Sequence, residues 1–177
     1  MCSCTSSISD GPRTPPGCKI AAKKRIELTF GKYAIVDAED YDRLSKYKWF
    51  ALEKGRSLYA KTFLLNGTPL HMHRLVTSAP PHLVVDHINH NGLDNRRLNL
   101  RLCTHAQNQK NTRPRSGGTS KYKGVHWEKT KKKFRAKIMY NRKSIHLGYF
   151  DDEIAAAKAY DKKAKELFGE YAYLNFP

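Results

Sequence analysis

The sequence predicts an α+β fold: a strand-rich N-terminal part, a strand–loop–strand–helix unit in the middle, and a three-stranded antiparallel sheet packed on one helix at the end. Three observations predict it. Apolar and polar residues alternate in short runs over 25–76 and again over 121–150, the period-two signature of half-buried strands. Lys54-Gly55 and Asn66-Gly67 break those runs at hairpin spacing. The one long stretch of helical character, "DDEIAAAKAYDKKAKELFG", lies after the last strand pattern.

The elements follow in order. Residues 1–24 lack an apolar segment of signal-peptide type and read as a disordered leader. "RIELTFGKYAIVD" alternates and breaks at Gly31, and "DAEDYDRLSKYKW" suits one short helix with Asp40 as its cap. "WFALEKGRSLYAKTFLLNGTPLHMHRLV" holds three apolar stretches, with a strand role expected for His73. After the Pro80-Pro81 break, Val84-Val85 end a buried strand, a second strand is expected over 98–102, and "THAQNQKN" reads as a helix capped by Thr104. "RPRSGGTSKY" has the composition of a linker. "YKGVHW", "KFRAKIMY" and "KSIHLGYF" read as three strands, followed by the helix, with Asp151 as N-cap and Gly169 at its end. The expected organisation is therefore a leader (1–24), a first module (25–112), a linker (113–120) and a second module (121–177).

Composition narrows the partner. Of 177 residues, 33 are Lys or Arg and 16 are Asp or Glu, a formal charge of +17. So large an excess favours a polyanion, with nucleic acid ahead of an anionic membrane, because no apolar run approaches the roughly 20 residues that span a bilayer. A small-molecule substrate is not indicated. The four cysteines form no Cys-x-x-Cys pair, which points to reduced thiols rather than a zinc knuckle or disulfide framework.

The segment "VVDHINHNGLDNRRLNLR" (84–101) crowds an acid, a base and several amides into one span. A strand, loop, strand and helix can fold Asp86, His87 and Asn108 into a single cleft. Carboxylate and amide oxygens are hard ligands suited to Mg²⁺, and a neighbouring imidazole can take a proton from water. Arg96, Arg97 and Arg101 could hold phosphates. Together these supply metal-assisted phosphodiester hydrolysis. The same residue types also crowd polar turns, where their side chains mimic backbone, and the residues by themselves leave both readings open.

"LHMHRLV…VVDHINHNGLDNRRLNLRLCTHAQNQKN" resembles the HNH endonucleases of phage and intron origin, over about 26–111. Asn99 follows His87 by twelve residues and Asn108 lies nine further on, in place of the motif's last histidine, as in the H-N-N subgroup. The resemblance implies a ββα-metal site in which Asp86 and Asn108 hold one divalent cation (Mg²⁺, with Mn²⁺ as a substitute). It implies His87 as general base and Asn99 as the residue orienting the loop or His87. Products would carry 5′-phosphate and 3′-hydroxyl ends. His90 and Asn91 fall in the loop as a solvated turn, Asp94-Asn95 as a turn cap, and His73-Arg74 as strand or phosphate-contact residues.

In the second module, residues 121–143 hold ten Lys or Arg and one acid. Phe134, Ala136 and Ile138 face one way and Lys133, Arg135 and Lys137 the other, so one sheet face is apolar and one basic. A basic sheet face is either a DNA reader or a solvated surface. "SKYKGVHW…HLGYF…AAAKAYD…LNFP" resembles the Apetala-two/ethylene-response-factor DNA-binding domain. That likeness implies DNA contact from Lys123, His126, Arg135, Lys137 and Lys143, joined by Arg97 from the first module. Trp127 and Tyr160 read as packing residues. The expected protein is thus a monomeric, homing-type DNA endonuclease working in the cytoplasm of a bacterial or phage-infected cell. The alternative is a DNA-binding transcription regulator whose first module is only structural.

Overall fold

A computed structural model describes residues 22–114 and 116–177. The expected leader, with Cys2, Cys4 and Cys18, lies outside the described residues except at its end, where Lys23 and Lys24 already belong to the first strand. β1 (Lys23–Glu27) and β2 (Tyr33–Asp37) pair as an antiparallel hairpin. α1 (Ala38–Leu44) follows at once, with Asp37 at the N-cap position rather than Asp40. Asp40 sits inside the first turn, where it is buried and meets Arg43 and Arg97.

β3 (Phe50–Lys54), β4 (Ser57–Phe63) and β5 (Pro69–His71) form a second antiparallel sheet in the order β3-β4-β5. Its two turns fall at Gly55 and Gly67, both at positive φ. Along β4, Ala60 and Thr62 are buried while Ser57, Tyr59 and Lys61 alternate with them. The strand expected through His73 is instead α2 (Met72–Thr77). Met72 and Val76, one helical turn apart, are both buried in the core, and Arg74 donates to the carbonyls of Ala79, Pro80 and Leu83. Tertiary burial and those three hydrogen bonds outweigh the strand tendency of a short apolar run.

β6 (Val84–His87) pairs antiparallel with β7 (Leu100–Cys103), and α3 (His105–Lys110) follows. β7 starts two residues later than expected because Arg97–Asn99 forms a 3-10 turn. The Thr104 cap is present in full: its hydroxyl accepts from Gln107 N while the Gln107 side chain accepts from Thr104 N. The loop between β6 and β7 is tied down. Ile35 N donates to Leu93 O and Asn95 N to Ile35 O, joining it to β2. Gly92 lets it lie against β4, since a Cβ there would sit 2.4 Å from Leu58 O and 2.7 Å from the Tyr59 ring. Ile26, Val36, Leu44, Trp49, Met72 and Val76 are the centre of the core these elements share.

The C-terminal sheet has the order β10-β9-β8, from β8 (Val125–Glu128), β9 (Lys133–Tyr140) and β10 (Lys143–Phe150), with α4 (Glu153–Phe168) across it. Ala136 and Ile138 face inward as expected, against Ala156, Ala157, Tyr160 and Ala164. Gly124, at φ +78°, lies beneath the Tyr160 ring; a Cβ there would come within 2.0 Å of it. The N-cap of α4 is Asp152, which accepts from Ala155 N, one residue later than expected; Asp151 pairs with Lys133 instead. Gly169 ends the helix as expected. The chain then makes a 3-10 turn (Gly169–Tyr171) and returns to α3, where Tyr173 N donates to Lys110 O. Among the described residues, no helix is long and apolar enough to cross a membrane.

Candidate active site

Strand β6 delivers Asp86 and His87 together at its end, both under 10% exposed. α3, fixed by its capping box, brings Asn108 to the same cleft, about 420 Å³ in volume. Arg56 and Tyr59 of the β3–β4 hairpin form one wall, and Asn111 and Arg113 stand opposite. The Arg56 guanidinium donates to Ser116 Oγ and that of Arg113 to His90 O. Sequence reading missed both arginines: Arg56 comes from a hairpin turn some thirty residues upstream, and Arg113 from the connection just after α3.

Asp86 is held asymmetrically. Arg101 Nε and Nη2 donate to its Oδ2 at 2.9 and 2.6 Å, and Asn111 Nδ2 donates to the same oxygen at 2.9 Å. Among the described residues, every side-chain donor to this carboxylate converges on Oδ2 and none reaches Oδ1. With the Asn108 amide in the same cleft, these donors suit a hard divalent ion. A separate acidic group, Asp37, Glu39 and Asp40, brings its oxygens within 4.8 Å of one another. It lines no part of the cleft and is neutralised by Arg97 and Arg43.

His87 is surrounded by rings. His73 meets it edge-on, with centroids 5.1 Å apart at 89°, Tyr59 lies 5.8 Å away, and His71 stacks on His73 at 5.2 Å. Burial lowers the His87 pKa below its ordinary value, although Asn95, Asp86 and Asp94 push it back up. Burial, with His87 and His71 nearby, drives the His73 pKa down to about 3. Both imidazoles are therefore neutral at pH 7, and His87 can accept a proton. Nε2 of His87 is buried without a hydrogen-bond partner. The Asn95 amide beside His87, fully buried, favours the protonated ring but makes no well-aligned hydrogen bond. Of the expected Asp94-Asn95 turn cap, Asp94 does accept from Arg96 N, while the Asn95 amide lies buried beside His87.

Asn99 lies apart from the cleft. Its Oδ1 accepts from Asn89 N and its Nδ2 donates to Asp94 O, so it braces the β6–β7 loop from inside. Asn91 caps Leu93 N and stays exposed, whereas His90 is half-buried against Tyr173.

The arginines expected on phosphate point elsewhere. Arg96 pairs with Asp94, and Arg101 with Asp86. Arg97 pairs with Asp40 and Glu39, each at 2.8 Å, and Arg74 holds carbonyls. Lys123 is placed inward too: its Nζ donates to Lys110 O and Thr112 O at 2.7 Å each, and burial beside Lys110 pushes its pKa down to about 8. On the outer sheet face, His126 stands opposite Arg135 and Lys137 opposite His146. Arg135 reaches Glu128 at 3.4 Å, and Lys143 is exposed. Only tertiary structure could distinguish these outward cations from the inward ones.

Comparison with known proteins agrees with the cleft. Residues 72–110, which include Asp86, His87, Asn99 and Asn108, match the HNH endonuclease family. An uncharacterized HNH endonuclease of Acanthamoeba polyphaga mimivirus is 34% identical over 149 residues, spanning 82% of this chain and 75% of that protein. No solved structure matches the chain.

Proposed function

Because the chain belongs to the HNH endonuclease family, we propose that it is a metal-dependent DNA endonuclease of homing type, with a ββα-metal site built from β6, β7 and α3. One observation carries this reading: Asp86, His87 and Asn108 share one cleft walled by two arginines. Asp86 Oδ1 and the Asn108 amide oxygen hold one Mg²⁺, or Mn²⁺ in its place. When bound, such an ion stabilises negative charge on the phosphate and on the departing 3′ oxygen. His87 is the general base. With Nε2 shut against the protein, its Nδ1 takes the proton from the attacking water, and Tyr59 and His73 fix the plane of the ring. Arg56 and Arg113 hold the flanking phosphates, and Asn99 keeps the loop that supports His87. The products carry 5′-phosphate and 3′-hydroxyl ends.

The C-terminal unit adds duplex affinity through the outer face of its sheet, from His126, Arg135 and Lys137, and from Lys143 at the exposed end of the β9–β10 hairpin, in the manner of an Apetala-two-like domain. Support for that role comes from the basic, exposed face itself. The protein acts as a monomer in the cytoplasm of a bacterial or infected host cell. A DNA-binding regulator with an inert first half has one observation in its favour, the Asp86–Arg101 ion pair already in the cleft. Plasmid incubated with the full chain and Mg²⁺ or Mn²⁺ separates the two. Nicked or linear product that disappears with EDTA and with His87→Ala is expected; a gel shift without cutting in every metal overturns the nuclease reading.

A further inference from the structure

Arg101 stands directly opposite Asp86 across the β6–β7 pair, and both side chains are largely buried, 12% and 8% exposed. The guanidinium is shared between the two halves of the molecule. Nε and Nη2 hold Asp86, whereas Nη1 donates to the backbone oxygen of Glu170, and the ring of Tyr171 lies 4.8 Å beneath the guanidinium carbon. Glu170 and Tyr171 belong to the 3-10 turn after α4, so the C-terminal unit supplies the far side of this clamp. The planar fork presents its donors in fixed directions, and it cannot swing off Asp86 while Glu170 and Tyr171 hold it.

We propose that Arg101 is a positioning residue through which the C-terminal unit sets how tightly Asp86 holds a divalent cation, an inference that rests on Asp86 being a cation ligand. A fixed positive charge on one carboxylate oxygen disfavours a second cation on the other, and solvent screening at so buried a pair is weak. Docking of the Gly169–Tyr171 turn therefore keeps cation affinity low, and releasing it raises affinity.

Mn²⁺ titration of the DNA-free full chain, read as free Mn²⁺ by electron paramagnetic resonance, tests this without any measurement of cutting. Arg101→Met is expected to bind Mn²⁺ about tenfold more tightly than wild type, on the scale by which a like charge this close shifts a carboxylate. Tyr171→Ala, which loosens the clamp and leaves the pair, is expected to move affinity the same way by a smaller factor. Equal or weaker binding in Arg101→Met overturns the proposal, and wild-type affinity in Tyr171→Ala overturns the part played by the C-terminal unit. If Arg101→Met does not fold, Tyr171→Ala decides alone. Asp86→Ala is the control for the underlying reading: undiminished Mn²⁺ binding there removes Asp86 as ligand, whatever the other variants do.

Discussion

The two halves of this molecule use positive charge in opposite ways. Residues 25–112 hold seven arginines and six lysines, residues 121–177 two arginines and twelve lysines, and the difference in type matches a difference in pairing. In the first half Arg43, Arg96, Arg97 and Arg101 are paired with Asp40, Asp94, Asp40 and Asp86, and Arg74 holds three carbonyls. In the second half Lys121, Lys129, Lys131, Lys132 and Lys143 are exposed and form no ion pair among the described residues. A guanidinium offers five donors in a rigid fork and is weakly hydrated, so it suits internal bracing of a cleft built from loops; an ammonium is a solvated point charge. The net charge of +17 therefore overstates what the first half presents to DNA, where most arginines are already paired.

Four predictions test that contrast, the largest effect first. His87→Ala should lower cutting by at least about 100-fold, the usual contribution of a general base, while a gel shift finds DNA affinity unchanged. Loss of binding along with cutting would mean that the first half's inward groups also hold the duplex. Next, Asp40→Ala should cost about 2 kcal/mol in urea unfolding, the range for a lost charged hydrogen bond, because it leaves Arg43 and Arg97 without their shared acid. A variant as stable as wild type would show that the inward pairs are ornament.

Acid should destabilise the fold through its buried imidazoles. His73 protonates near 6.5 in the unfolded chain and near 3 in the fold, so its contribution is fully present above 6.5 and is lost as pH falls toward 3. The expected slope from this group is about 1.4 kcal/mol per pH unit. Urea midpoints at pH 7 and 5.5 should differ in wild type, and less so in His73→Phe; an equal slope in the variant would place the titrating group elsewhere. The smallest effect is Lys143→Ala. Stability should stay within about 0.5 kcal/mol, and the log–log salt dependence of DNA binding should become shallower by about 0.9. An unchanged slope would remove Lys143 from the interface.

The C-terminal sheet was legible in the sequence because each of its strands records its own period-two pattern: Ala136 and Ile138 face inward as that alternation requires. Capping was legible for the same reason, as Thr104 and Gln107 are three residues apart and bond each other. The motif spacing placed Asp86, His87 and Asn108, which share a cleft, and separated Asn99, which braces the loop. Two caps were misplaced by a few residues, at Asp37 and Asp152, and the larger misses concern partners distant along the chain. α2 was read as strand because its helicity depends on the pocket that buries Met72 and Val76. Asn95 was read as a turn cap because nothing nearby records that β2 holds its backbone and buries its amide beside His87.

By itself, then, the sequence determined the periodicities, the Thr104 cap, the spacing of the motif and the sign of the charge, since each depends on residues a few positions apart. The tertiary structure decided which cations face inward, that Tyr59 and His73 enclose the base, and that Glu170 and Tyr171 reach Arg101. Those contacts join residues tens of positions apart, where a side chain's partner is set by how whole elements pack and local pattern carries no record of it.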